Sequence, residues 1–351
     1  MGKIGFGLVG CGRISRNHLS SLKKIPDVEI IAVCDADKKR LEECGEKYSC
    51  KTYDSYDAFL QDTDINVVSI CTPSGLHAQM ALQATAEGKH ILLEKPMAMS
   101  LKEADAIIAA AKEKGVKLGI VFQNRFNRAV TKLRSALDAG KFGVLTHGAA
   151  VVRWNRNDEY YKQSPWRGTW SQDGGCLMNQ SIHTIDLLLW MMGPAESVFA
   201  YADTKLRNIE GEDNAVAVVK FKNGAFATIE ASTTIYPTNL EGSLHIFGTT
   251  GSACVGGVAT NKIKAWRFAD EDEDEVTTAQ DKEPPNVYGF GHADIIIDFV
   301  KSLKNGQIPS VTGEEGRKAL ELILAIYHSA RLNKEVKLPL KEEFCIGVGI
   351  D

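Results

Sequence analysis

Five short apolar runs, each separated from the next by a stretch of helical periodicity, organise the first 121 residues. The runs are Ile4–Val9, Glu29–Cys34, Val67–Cys71, His90–Leu93 and Lys117–Val121. Helical patterns lie among them at Ser15–Leu22, Asp37–Glu46, His77–Ala86 and Leu101–Lys114. Short continuous apolar runs predict strands buried on both faces. Alternating strand and helix then predicts a parallel, doubly wound α/β sheet of the Rossmann kind. The helix ends are written locally: Ser100 with Glu103 forms a capping box, and Gly115 closes the same helix.

After Asn124 the pattern changes. Amphipathic helices are expected at Ala129–Ala139 and Leu177–Met192, the second closed by Gly193-Pro194. Long strands follow one another: Val144–Trp154, Ser197–Thr204, Ala215–Phe221, Ala225–Ser232, Ser243–Gly248 and Lys262–Phe268. Asn223-Gly224 between two of them is a strong hairpin signal. Two closing helices are read at Gly291–Leu303 and Glu314–Leu332, and the acidic run Asp270–Glu275 reads as a solvated loop. The expectation is a Rossmann domain over 1–122. A second α/β domain over 123–351 carries a large, open, mainly antiparallel sheet for substrate binding and oligomerisation.

A chain of 351 residues is long enough for two cores. A net charge of -4 leaves no basic footprint for nucleic acid. No apolar run approaches the roughly 18 residues a membrane span needs. Strand-forming sequence from Lys3 leaves no room for a signal peptide, and eight scattered cysteines without a Cys-x-x-Cys pair fit a cytoplasmic protein. The eight histidines show no zinc-ligand spacing, so no metal site is expected.

The chemistry sits at the predicted strand ends, where open parallel sheets bind ligands. Gly10-Cys11-Gly12-x-x-Ser15 is a dinucleotide fingerprint with Ser in place of the third Gly. Gly10 permits a tight turn, and Gly12 lets a pyrophosphate approach the following helix N-terminus. Arg13 and Ile14 belong to the same loop. Asp35, ending the second strand, accepts from ribose hydroxyls and repels a 2′-phosphate, which favours NAD. Lys38, Lys39 and Arg13 keep NADP open. Thr72-Pro73 reads as a loop crossing the cofactor, while His77 caps a helix, lines the cofactor or faces solvent. Glu94-Lys95-Pro96 puts an acid and a base at a strand end, and Lys95–Pro96 is expected to be cis. Farther on, Asn179 and His183 are four apart on a predicted helix behind Gly174-Gly175, so they share a face. Asp186 reads as a structural hydrogen-bonding residue at least as readily as a site residue. Arg153, Arg156 and Tyr160-Tyr161 either bind a carboxylate or sugar, or form a solvated loop.

Gly-x-Gly, Asp35, Glu94-Lys95-Pro96, Gln123-Asn124-Arg125-Phe126 and Gly-Gly-x-Leu-x-Asn-x-x-x-His together resemble the Gfo/Idh/MocA oxidoreductases over nearly the whole chain. The resemblance implies NAD or NADP in a cleft between the two domains, gripped in part by Glu94, Lys95 and Asn124. It maps Lys95 to a lysine contacting the nicotinamide ribose and the reacting oxygen. His183 maps to the active-site histidine, and Trp166-Arg167 to a cofactor-side pair. Many members carry Asp where this chain has Asn179, which puts an ionised Asp–His pair in doubt. The segments Trp166–Trp170 and Leu177–Gln180 are similar to those of UDP-N-acetylglucosamine-uronate 3-dehydrogenases.

The reading is therefore a dehydrogenase taking a hydride from a secondary alcohol of a sugar, cyclitol or nucleotide-sugar. Lys95 and His183 are the catalytic pair, with Arg153 and Asn179 also contacting substrate. Beside a positively charged nicotinamide, the Lys95 pKa should fall, which suits proton exchange near neutrality. The rivals are an NAD-dependent glycosidase with transient redox and a non-catalytic dinucleotide sensor. Apolar residues on both faces of Ala215–Val219 point to a homodimer or homotetramer through the second sheet.

Overall fold

The computed structural model describes residues 2–269 and 287–341. The acidic run Asp270–Glu275 and Cys345 lie outside them. The described chain forms two compact units.

The first unit is residues 2–122 together with His292–Arg317. Its strands are β1 (Ile4–Val9), β2 (Val28–Cys34), β3 (Lys51–Tyr53), β4 (Val67–Ile70), β5 (His90–Leu93) and β6 (Leu118–Ile120). They lie in the order β3-β2-β1-β4-β5-β6, every neighbour parallel. That order reverses between β1 and β4, and a doubly wound sheet opens its ligand crevice at such a switch point. All four β4 residues are buried, as strands covered by helices on both faces require. The helices are α1 (Ser15–Leu22), α2 (Lys38–Tyr48), α3 (Tyr56–Leu60), α4 (His77–Ala86) and α5 (Leu101–Lys114). Helix α5 buries Leu101, Ala104, Ile107 and Ala111, one stripe at helical spacing. The Ser100–Glu103 capping box and the left-handed Gly115 are both present. Strand β3 and helix α3, three and five residues long, were not expected; each is too short for a periodicity to show.

The chain returns to this unit after residue 291, a re-entry that the expected single boundary at 122/123 did not include. The returning helix, His292–Lys304, buries Ile295, Ile296, Phe299 and Val300. Gly119 of β6 makes room for it, since a Cβ there would come 2.7 Å from the Phe299 ring.

The second unit holds residues 123–269, 287–291 and 318–341. Its helices are α6 (Arg128–Asp138), α7 (Asp158–Lys162) and α8 (Ile182–Met192). Its strands are β7 (Leu145–Arg153), β8 (Ala195–Asp203), β9 (Asn214–Phe221), β10 (Phe226–Ser232), β11 (Glu241–Gly248), β12 (Gly251–Gly256), β13 (Lys262–Phe268) and β14 (Val336–Lys337). They form one sheet in the order β13-β12-β11-β7-β10-β9-β8-β14. Only β7 and β10 pair in parallel, so the sheet is mainly antiparallel. The helix from His292 is α9, and α10 (Gly313–Leu332) ends within this unit. The hairpin at Asn223-Gly224 forms as expected, with Gly224 at φ +88°.

Helix α8 packs on one face of the sheet, where Leu188 and Met192 press on Gly148 of β7. Gly148, Ala150 and Val152 point to that face, and His147, Ala149 and Arg153 alternate to the other. The helix expected to run unbroken from Leu177 instead opens with a π-helical turn, Leu177–Ser181, before α8 begins. Such wide turns recur at functional sites.

Candidate active site

In the first unit, loops from four neighbouring strands hold the predicted cofactor residues. Gly10 follows β1 at φ +92°, and its backbone lies so close to β4 that a Cβ would meet Cys71 at 2.7 Å. A Cβ on Gly12 would meet nothing within 4 Å, so this face of the loop is open. Ser15 begins α1 and donates its hydroxyl to the Gly12 carbonyl at 2.7 Å, closing the turn where the usual fingerprint has a third glycine. Asp35 ends β2 with both oxygens engaged: Oδ2 accepts from Cys11 N–H at 2.6 Å and Oδ1 from Asp37 N–H at 2.8 Å. Its carboxylate is thereby aimed along the glycine loop. Arg13, Lys38 and Lys39 are exposed, and Ile14 packs on the apolar cluster of Leu8, Cys11 and Leu19. After β4, Thr72 Oγ1 is buried with no hydrogen-bond partner among the described residues, and Pro73 leads into a 3-10 turn. An open glycine, an orphaned hydroxyl and an acidic strand end fit a dinucleotide.

Two residues assigned to the cofactor have other work. His77 is only 1% exposed, and its ring nitrogens stand 2.7 Å from the Pro96 carbonyl and 3.0 Å from that of Thr72. It braces two loops and leaves no ring surface for a ligand. Burial holds its pKa below the usual histidine range, and the two carbonyls oppose that shift. Glu94 is likewise buried, with Oε1 2.9 Å from His18 Nε2 and Oε2 accepting from Lys95 N–H at 3.2 Å. Each of its carboxylate oxygens thus has a partner within the protein. Lys95 is half-buried, and the Lys95–Pro96 peptide is cis, as expected.

His18, Glu94 and His292 bring their ligand atoms within 4.8 Å of one another. No spacing rule finds a cluster drawn from positions 18, 94 and 292. His18 and Glu94 already bond each other, and His18 also bonds Ser69, so these two form a buried polar pair before they form a metal site.

The second unit gathers Asn179 with residues the sequence left ambiguous. Asn179 Nδ2 donates to Asp173 Oδ1, and its Oδ1 accepts from Gln180 Nε2 at 2.8 Å. Arg156 donates from Nε to Gln180 Oε1 at 3.1 Å and stacks over Trp154 at 4.9 Å. The Arg167 guanidinium lies 4.3 Å from the centre of Tyr160 and 4.7 Å from that of Trp166, and donates to the Tyr160 hydroxyl. Both arginines thus use neutral partners. Asn124 and His183 are buried, and Asn124 Oδ1 has no partner among the described residues. His183 stands in the first turn of α8, whose position is set by Arg125 clasping Asp186. Asp186 is the structural residue it resembled.

Arg153 is not brought to this group. Its side chain projects from the sheet face opposite α8 and is held by Glu230 and Glu241, with three contacts of 2.6 Å. The expected substrate contact is an ion-pair clasp across β10, β7 and β11. Three residues with structural consequence carried no role in the sequence reading: His18, Arg125 and Glu212. Of these only Arg125 stood inside a recognisable motif.

The parallel sheet with its glycine turn and acidic strand end defines a dinucleotide-binding oxidoreductase fold. Residues 4–122 match the model of the oxidoreductase family with an NAD-binding Rossmann fold, and residues 130–254 match the GFO/IDH/MocA C-terminal domain. The WlbA dehydrogenase from Bordetella pertussis, solved with NADH and UDP-GlcNAcA, is 37% identical, with a TM-score of 0.88 over 97% of this chain and 100% of that one. The Chromobacterium violaceum WlbA dehydrogenase, solved with the same two ligands, is 40% identical, with a TM-score of 0.89 over 97% of each chain. Myo-inositol 2-dehydrogenase of Thermotoga maritima is 28% identical over 95% of this chain and 98% of its own length. The chain belongs to the Gfo/Idh/MocA oxidoreductase family. It is an NAD-dependent dehydrogenase acting on the CH–OH groups of sugar-type substrates.

Proposed function

We propose that the chain oxidises a secondary alcohol of a UDP-linked N-acetyl uronate sugar, UDP-GlcNAcA being the leading candidate. The observation that carries this reading is the pair Arg156 and Arg167, both bonded to neutral groups and backed by aromatic rings beside Gln180 and Asn179. Guanidiniums held this way keep their charge for an anionic ligand. The 37% and 40% identities to dehydrogenases solved with UDP-GlcNAcA support the same substrate. Gly10, Gly12 and the start of α1 would hold the NAD pyrophosphate, with Asp35 on the ribose and Thr72, Pro73, Asn124, Trp166 and Arg167 completing the grip. Bound NAD supplies a hydride acceptor. Lys95 and His183 take up the hydroxyl proton as the C–H bond breaks, leaving a ketone, and Asn179 orients the sugar. The test is turnover with NAD across UDP-GlcNAcA, UDP-GlcNAc and myo-inositol. UDP-GlcNAcA should exceed the others in kcat/KM at least about tenfold. Equal use of myo-inositol would overturn the reading.

A homodimer or homotetramer through the second sheet is part of the same proposal. On the face away from α8, Tyr201, Val216, Val218 and Phe226 are 65%, 55%, 52% and 53% exposed. That is a contiguous apolar patch across β8, β9 and β10, of the kind a second copy covers. Sedimentation at micromolar concentration should give a multiple of 38.4 kDa, and a V216D/V218D variant should be monomeric. A monomeric parent chain would end the idea. The seven described cysteines are free thiols, which supports a reducing, cytoplasmic setting. No helix among the described residues is long and apolar enough to cross a membrane.

A further inference from the structure

We propose that His18 is a positioning residue for the reaction: through Glu94 it holds the backbone that carries Lys95. The inference rests on the proposed role of Lys95. His18 stands in the first turn of α1, the helix that opens on the glycine loop, and is fully buried with Ser15, Leu19 and Leu22 on the same helix. Its Nδ1 is 2.8 Å from Ser69 Oγ on β4, and its Nε2 is 2.9 Å from Glu94 Oε1 at the end of β5. One imidazole therefore joins three elements that lead into the glycine loop, the Thr72 loop and the lysine turn. The second Glu94 oxygen accepts from Lys95 N–H at 3.2 Å, so the chain of contacts runs from α1 to the lysine.

A buried carboxylate that loses a charged partner costs several kcal/mol, so loss of His18 should let Glu94 leave this orientation. Burial opposes the His18 imidazolium, but Cys71 and Glu94 outweigh it and move its pKa up to about 10. Burial also raises Glu94, while His18, His292 and Lys95 bring it down to about 2. His292, with its ring centre 5.7 Å away, is driven down to about 4 by burial and by the His18 charge, and stays neutral. These directions favour an imidazolium on His18 paired with a carboxylate on Glu94, beside a neutral His292. A histidine that merely fills the core would be as well replaced by an apolar residue. This one sits between two oxygens that an apolar residue would strand.

The test compares H18L, H18Q, S69A and E94Q with K95A. H18L should lower kcat with UDP-GlcNAcA about 100-fold, the effect of a misplaced reacting group, while the Kd for NAD stays within about threefold. H18Q, which keeps a donor toward Glu94, should recover part of that kcat, and S69A should change it little. H18L/E94Q should be no worse than H18L, because the two act in series. In the cofactor-free protein, deuterium exchange of the segment 93–97 should quicken in H18L and E94Q and not in S69A. That readout needs no substrate, and H18Q with E94Q carries the test if H18L does not fold. If K95A keeps its turnover, the role of Lys95 falls. If K95A loses it while folded H18L and E94Q keep theirs, with unchanged exchange at 93–97, only the inference about His18 falls.

Discussion

Arg125 clasps Asp186 through two bonds, Nε to Oδ2 at 2.8 Å and Nη2 to Oδ1 at 2.5 Å, and both side chains are buried. The Arg125 guanidinium also lies over Trp190 at 4.9 Å. The pair fastens the short turn Gln123–Phe126 to α8, and so fixes the helix that carries His183 in its first turn. Removing one partner takes the bidentate charge partner from the other in the core. D186N and R125A should each lose about 3–5 kcal/mol in urea denaturation, and the double replacement by Met and Leu should lose less than either. A surface-like loss below about 1 kcal/mol would show that the pair anchors nothing.

Asp35 holds two loop amides with its carboxylate at the end of β2. D35A should weaken NAD binding about tenfold or more, through lost loop order and lost ribose contacts. It should weaken NADP less, because the charge that repels a 2′-phosphate is gone. Titrating both cofactors against wild type and variant checks it: the preference should narrow. An unchanged ratio would move discrimination to Lys38, Lys39 or Arg13.

Glu212 gives the fold a pH slope. It is wholly buried, with Oε1 accepting from Leu177 N–H at 2.6 Å and from the Tyr327 hydroxyl at 3.2 Å. Gly175 is required beside it, since a Cβ there would come 1.5 Å from Oε2. Burial pushes its pKa from 4.5 up to about 8. Between those values the folded chain binds the proton more tightly than the unfolded chain. Stability must therefore fall as pH rises across that window, by at most about 1.4 kcal/mol per unit. E212Q, neutral at every pH, should flatten the decline and gain relative to wild type at the alkaline end. Urea midpoints across the window test the sign.

The sheet ends were legible because their signals are local. β1, β5, α1, α4 and α5 stop where apolar runs, caps and glycines stop them. Short elements without a full period, β3, α3 and α7, were not, and their form depends on neighbours distant in sequence. The site divides in the same way. Gly10, Gly12 and Asp35 announce themselves by their place at strand ends. His77 and Glu94 stand at equally suggestive places, yet their partners, two carbonyls and His18, are known only once the chain has folded. Arg153 was misplaced by its charge. Read with Gly148, Ala150 and Val152 as the packed side of β7, its alternation already sets it on the opposite face.

Asn179 gives the sharpest test of the second unit. The π-helical turn aims it back at Asp173, whose Oδ1 accepts from its amide and whose Oδ2 accepts from Gly168 N–H at 2.7 Å. An aspartate at 179 would therefore confront a carboxylate before it could serve His183. Two carboxylates so close cannot both ionise, and one pKa must rise. N179D should work while that pair shares a proton and fail as pH climbs through the raised value, an alkaline limb absent from wild type. Swapping the partners, D173N/N179D, rebuilds one amide–carboxylate bond in reverse and should remove the limb. If N179D instead moves only the acidic limb upward, its carboxylate has reached His183 and raised the imidazole pKa, and the contact with Asp173 does not govern the turn. kcat against pH for the three proteins, read beside NAD affinity, decides between these outcomes.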